Sequence, residues 1–238
     1  MPSTGVAIPV LEARALHRTL GEHAAVSDVS ISLAKGDVLG LLGLNGAGKS
    51  TTLKMLCGML VPDSGTVTLG GYDMAEHPLK ARAQIGFLPD QPPLYNDMRV
   101  SEYLLLCGKI RGLKGKHLQS QLTNVLQQCS LEAVRTQLIA SLSKGYRQRV
   151  GLAQAIIHSP DVLLLDEPSN GLDPQQLDAM RALIRQYAHD HAVIFSTHLL
   201  SEAQAVCNRI AIIREGKLVA DQRSDGSDLE ALFRETVQ

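Results

Sequence analysis

The residues best placed to do chemistry lie in one run, Gly43-Leu44-Asn45-Gly46-Ala47-Gly48-Lys49-Ser50-Thr51. An apolar stretch, residues 38–42, leads into it, and a helical pattern follows. Gly, four residues, then Gly-Lys-Ser/Thr, between a strand and a helix, is the pattern of a phosphate-binding loop. Each residue type has a physical reason. Gly43, Gly46 and Gly48 let backbone N–H groups turn onto phosphate oxygens that a Cβ would hold off. The backbone through Asn45, Ala47 and Thr51 continues that wrap, and the helix N-terminus adds partial positive charge. Lys49 can bridge the β- and γ-phosphates, and the Ser50 hydroxyl can ligate Mg²⁺.

A second set of candidates ends the apolar run at residues 162–165, where Asp166 and Glu167 follow. Carboxylates at the carboxyl end of a buried strand lie where α/β sheets bind ligands. Asp166 can hold the same Mg²⁺ as Ser50, which leaves Glu167 beside the γ-phosphate as general base for water. A glutamine there would suggest a binding switch instead. The third set is Ser143-Lys144-Gly145, opening a helix with a serine cap and a close glycine. It offers a hydroxyl and free N–H groups as a further anion site.

Composition narrows the function classes. Net charge is −1 across 238 residues and the basic residues are scattered, so no nucleic-acid partner is expected. The chain has no Trp and few aromatics for base stacking. No apolar run reaches the roughly 18–20 residues of a membrane span, and the first residues do not read as a signal peptide. Cys57, Cys107, Cys129 and Cys207 are widely spaced and read as buried free thiols.

The elements that must hold these residues alternate. Strands are expected at 10–16, 29–33, 38–42, 66–69, 85–88, 162–165, 192–195, 210–214 and 217–219. Helices are expected at 51–60, 79–83, 174–187 and 200–206, with an amphipathic one at 229–237. Residues 89–95 cannot be regular structure, and from there to about Pro160 the pattern turns wholly helical, at 100–111, 117–129 and 143–158. The fold class is therefore α/β, a mainly parallel sheet with an antiparallel β portion and an inserted α-helical lobe. The core would span about 1–89 and 160–238, the lobe about 90–159, as one domain.

In this order and spacing the motifs resemble the ATP-binding subunits of ABC transporters, over about residues 10–220. Residues 43–51 match the family's Walker A loop, 162–168 its Walker B strand and 142–147 its signature. Ser169-Asn170-Gly171-Leu172-Asp173 matches the D-loop, and Ser196-Thr197-His198 the switch histidine. The resemblance implies a P-loop NTPase core, ATP and Mg²⁺ as ligands, and His198 contacting the γ-phosphate and orienting Glu167. It also implies a homodimer or a pair with a second ATPase subunit, each loop facing the partner's Ser143 and Gly145. Dimer closure on ATP would drive an integral-membrane permease from the cytoplasmic face of the inner membrane. Ser-Lys-Gly-Tyr-Arg-Gln-Arg and Phe-Leu-Pro-Asp-Gln-Pro-Pro-Leu-Tyr are similar to small export ATPases of the gliding-motility and copper-maturation type. The alternative is a soluble family member acting in Fe–S assembly, translation or repair.

Departures from the family pattern are specific. Leu44 stands where a proline is usual. Leu20 stands where an aromatic stacks on adenine, so apolar contact with Leu20 and Val26 is expected to hold the base. Asp90, with Gln91 next to it, stands where a Gln or Glu reaches Mg²⁺. The register of residues 85–89 favours Asp90, with Gln91 the alternative. Pro92, Pro93, Leu94 and Tyr95 form a proline-stiffened apolar segment, expected either to dock the membrane subunit or to tuck under the helical lobe.

Overall fold

The protein is seen in a computed structural model that describes residues 9–21, 23–224 and Phe233. Strands β1 (Leu11–Leu20) and β2 (His23–Leu33) pair antiparallel, and β3 (Val38–Leu42) leads through the glycine loop into α1 (Lys49–Leu56). Then come β4 (Ser64–Leu69), β5 (Tyr72–Asp73), α2 (Pro78–Ala83) and β6 (Ile85–Leu88). Helices α3 (Val100–Ile110), α4 (Gly115–Gln128) and α5 (Lys144–Ile156) follow. Alternation resumes with β7 (Val162–Asp166), α6 (Pro174–Ala188), β8 (Ala192–Thr197) and α7 (Leu200–Val206). The hairpin β9 (Arg209–Arg214) and β10 (Lys217–Arg223) completes the described elements.

Two sheets result. One is antiparallel, in the order β2-β1-β4-β5; the other runs β10-β9-β3-β8-β7-β6, parallel from β9 to β6 with β10 antiparallel at its edge. Strands β3, β7 and β8 are buried at every position because both their faces are covered. Side chains alternate between two cores. Val38, Leu42, Leu163, Leu165, Val193 and Phe195 join apolar residues of α3 to α7. Leu39, Leu41, Val162, Leu164 and Ile194 face the antiparallel sheet and α1. Gly40 permits the close seating of α7. A Cβ there would lie 3.0 Å from Cys207 Sγ and 3.1 Å from Ala203 Cβ.

Differences from expectation concentrate in the antiparallel sheet. β1 runs on to Leu20 and β2 begins at His23, because register shifts carry the pairing through Arg18↔Val26 to Leu20↔His23. Helix α1 starts at Lys49 and stops at Leu56, four residues short of expectation, where Gly58 turns left-handed at φ 71°. The two-residue strand β5 is too short to leave a pattern. The helix expected at 229–237 lies outside the described residues except Phe233. Among the described residues no helix is long and apolar enough to cross a membrane.

Candidate active site

The glycine loop carries Gly46 and Gly48 at φ 81° and 107°, conformations that suit residues without a Cβ. At Gly48 the constraint is double, since a Cβ would lie 2.5 Å from Ala25 O. Lys49, the first residue of α1, is 5% exposed. Its ammonium donates to Gly43 O at 2.7 Å and Leu44 O at 3.1 Å, and lies 3.4 Å from Glu167 Oε1. A buried cation needs such partners, and here they come from the loop and from β7's end.

Sheet register brings the rest together. Asp166 pairs with Ser196 across β7 and β8. Ser196 Oγ donates to Asp166 Oδ1 at 2.7 Å, and Ser50 Oγ donates to the same oxygen at 3.0 Å. The Glu167 N–H donates to Ser196 Oγ at 2.9 Å, which fixes the first peptide beyond the strand. Glu167 itself adopts φ 48°, a left-handed backbone for a non-glycine residue. Its Oε2 lies 2.8 Å from His198 Nδ1, in the turn after β8. One carboxylate thus meets an imidazole on one oxygen and an ammonium on the other.

These groups open on a cavity of about 590 Å³ whose outer end is walled by Leu20 and Ala25. Clefts of about 640 and 620 Å³ between α4 and α6 hold none of the loop residues 43–51, nor Asp166, Glu167 or His198. Asp90 lines the nucleotide-sized cavity and accepts from Asn170 Nδ2 at 3.2 Å, whereas Gln91 is exposed and does not line it.

Most of the residues singled out from sequence converge here, but not all. Val26 does not: it is fully buried between the sheets, and Ala25 takes the cavity position. The pairing of β1 and β2 is shifted near Val26, and that turns its side chain inward. Gly43 and Ala47 contribute packing as well as backbone. A Cβ on Gly43 would meet Ile213 O, and Ala47 O accepts from the Gly216 N–H at 2.9 Å. Ser143 and Gly145 lie away from the cavity at the start of α5, with Ser143 Oγ capping Tyr146 N at 3.4 Å. Gly145 faces Gln176, whose side chain would be 2.5 Å from a Cβ. Sequence reasoning missed Ala25, which belongs to no motif, and the role of Asn170 as a tie to Asp90, which its place in the D-loop run does not reveal.

A glycine cradle, a lysine and a hydroxyl–carboxylate pair at the open end of a parallel sheet suit a nucleoside triphosphate. The family model for ABC transporters matches residues 26–170. The chain belongs to the ABC transporter family, as an ATP-binding subunit. It is 36% identical over 221 residues to a Nod factor export ATP-binding protein I of Ralstonia nicotianae, covering 92% of this chain and 69% of that one. It is 34% identical over 212 residues to the linearmycin resistance ATP-binding protein LnrL of Bacillus subtilis, covering 89% and 68%. A solved structure described as an ATP-binding subunit of an ABC transporter superposes with TM-score 0.85 at 29% identity, covering 95% and 99% of the two chains.

Membership in the ABC transporter family makes this chain an ATPase that uses Mg²⁺, dimerises and energises a separate membrane permease. The soluble alternative is not favoured. The donor set fits that ion: Ser50 and Asp166, joined at 3.0 Å, and Asp90 on the cavity lining offer hard oxygens of the kind Mg²⁺ takes.

Proposed function

We propose that this ABC subunit drives export, peripherally at the cytoplasmic face of the inner membrane, with Glu167 as the general base. The observation that carries it is the Glu167 carboxylate, held between His198 Nδ1 at 2.8 Å and Lys49 Nζ at 3.4 Å. Glu167 takes a proton from water as the water oxygen bonds to the γ-phosphorus and the bond to the β-phosphate oxygen breaks. His198 keeps that carboxylate aimed. Lys49, with the N–H groups of the loop, carries phosphate charge. Ser50, Asp166 and Asp90 would hold Mg²⁺, which supplies further charge neutralisation when bound. Ser143 and Gly145, remote from their own loop, serve the nucleotide of the second subunit. The names of the relatives, export of Nod factor and resistance to linearmycin, support the outward direction.

Residues about 90–159 act as one helical lobe, and the membrane subunit docks beside its junction with the core. A groove of about 490 Å³ there is lined by Met59, Arg82, Phe87, Pro93 and Arg111. Leu94 packs partly into the core, while Tyr95 is 58% exposed with its ring edge-on to Tyr103 at 5.8 Å. Each side of the sequence-based alternative therefore has one of the two residues.

Light scattering with and without ATP tests the closure cycle. Glu167→Gln should accumulate an ATP-dependent dimer that the unaltered protein does not. A variant that remains monomeric with ATP would remove Glu167 from the discharge step.

A further inference from the structure

A second carboxylate stands behind the Glu167–His198 pair. Glu202, in the first turn of α7, receives two hydroxyl protons on one oxygen. Thr197 Oγ1 donates to Glu202 Oε2 at 2.7 Å, and Ser169 Oγ donates to it at 3.0 Å. Both hydroxyl residues are buried. Thr197 immediately precedes His198, and Ser169 lies just beyond Glu167 and Pro168. The inner pair is joined directly at 2.8 Å, and the flanking pair is joined through Glu202.

The direction of these bonds matters. A threonine hydroxyl has one proton and two lone pairs. With its proton on Glu202, Thr197 Oγ1 is left to accept, and the Leu199 N–H donates to it at 3.1 Å. That bond closes the turn at whose apex His198 stands. On the other side, Ser169 anchors the segment leaving Glu167, where Asn170 N donates to Glu167 O at 3.0 Å. Glu202 is a firm post for both, because its helix is seated on β3 at Gly40 through Ala203 and Cys207. Its own N–H donates to Leu199 O at 3.1 Å.

We propose that Glu202 is a positioning residue for ATP hydrolysis: by accepting from Thr197 and Ser169 together it fixes the His198 turn relative to Glu167. It does not line the nucleotide cavity and acts through the inner pair. The proposal rests on Glu167 being the base.

Steady-state ATPase kinetics on the full chain test it. Glu202→Ala leaves two buried hydroxyls without their acceptor, and kcat should fall about 10- to 10²-fold, the scale of a small misplacement at a reacting centre. The KM for ATP should stay within about twofold, because the phosphate loop is untouched. Glu202→Gln keeps a carbonyl oxygen that can accept both protons, so its kcat should remain within about fivefold of the original. On a Glu167→Gln background, Glu202→Ala should add almost nothing, since both changes act on one proton transfer. A purely structural Glu202 would instead lower activity equally on both backgrounds. Should Glu202→Ala fail to fold, Thr197→Val and Ser169→Ala each delete one arm and should each lower kcat at constant KM. The proposal is overturned by an unchanged kcat in Glu202→Ala or in both hydroxyl variants. It is equally overturned if Glu202→Gln falls as far as Glu202→Ala. Absence of turnover in the unaltered protein would instead refute the ATPase function itself, and the same assay shows it.

Discussion

The two ends of the nucleotide cavity are built from different material. At the phosphate end, β3, β7, β8 and α1 supply a glycine cradle, a buried lysine and hydroxyl–carboxylate bonds of 2.7 to 3.0 Å. Every strand there is interior, so each group is held by packing on two sides. At the outer end, the walls are Leu20 and Ala25, from the facing ends of β1 and β2, and Leu20 is 47% exposed. Neither side chain can hydrogen-bond a base edge, and neither has a ring to stack. The difference predicts that affinity and chemistry are concentrated on the triphosphate, with the base contributing little beyond contact area.

The sharpest way to break that comparison is at the rigid end. Glu167→Gln should reduce turnover by about 10²–10⁴, the usual loss of a general base, with ATP binding retained. Phosphate release and nucleotide titration measure the two separately, and an unchanged rate would move the chemistry elsewhere. A smaller effect is expected where the helical stretch reaches the cavity. Asp90→Ala should lower Mg²⁺-dependent activity by about 10-fold or more, as for residues supporting a metal, and Gln91→Ala should leave it nearly unchanged. Titrating activity against Mg²⁺ decides between them, and the opposite ranking would hand the role to Gln91. At the outer end the effect should be modest and favourable. Leu20→Tyr offers a ring to the base and should tighten ATP binding by about 0.5–1.5 kcal/mol, the worth of an aromatic pair. Competition with GTP should show little base preference before the change. Strong discrimination would mean that another group reads the base.

The same contrast explains what was legible in the sequence. Continuous apolar runs predicted β3 with the observed bounds, and placed β7 and β8 to within a residue or two. The glycine loop and its acidic partner were legible because their chemistry fixes both residue type and spacing. The outer end was not. Extending the alternation of Val29, Ile31 and Leu33 backwards turns Val26 outward, yet Asp28 adopts φ 56° and resets the pattern. Val26 and Val29, three residues apart, therefore both face the core. Glu202 and Asn170 were illegible for another reason. Glu202 meets Ser169 from 33 positions away and Asn170 meets Asp90 from 80, bonds across the fold that no local pattern records. The Thr197–Glu202 bond, though only 5 positions long, spans a turn with no period of its own.

The left-handed backbone of Glu167 has a consequence for how the chain tolerates substitution. An L-residue with a Cβ in that region carries about 1–2 kcal/mol of strain, which asparagine bears more easily. The position proposed to perform the chemistry is therefore one where a different residue would relieve backbone strain. Glu167→Asn and Glu167→Gln both lack the charge, so comparing them isolates the backbone. The asparagine variant should melt about 2–4 °C higher, the shift that about 1 kcal/mol gives a chain of this size, although neither is active. Selection for stability alone would favour replacing this residue, so under the proposed mechanism a stable, inactive relative is one substitution away.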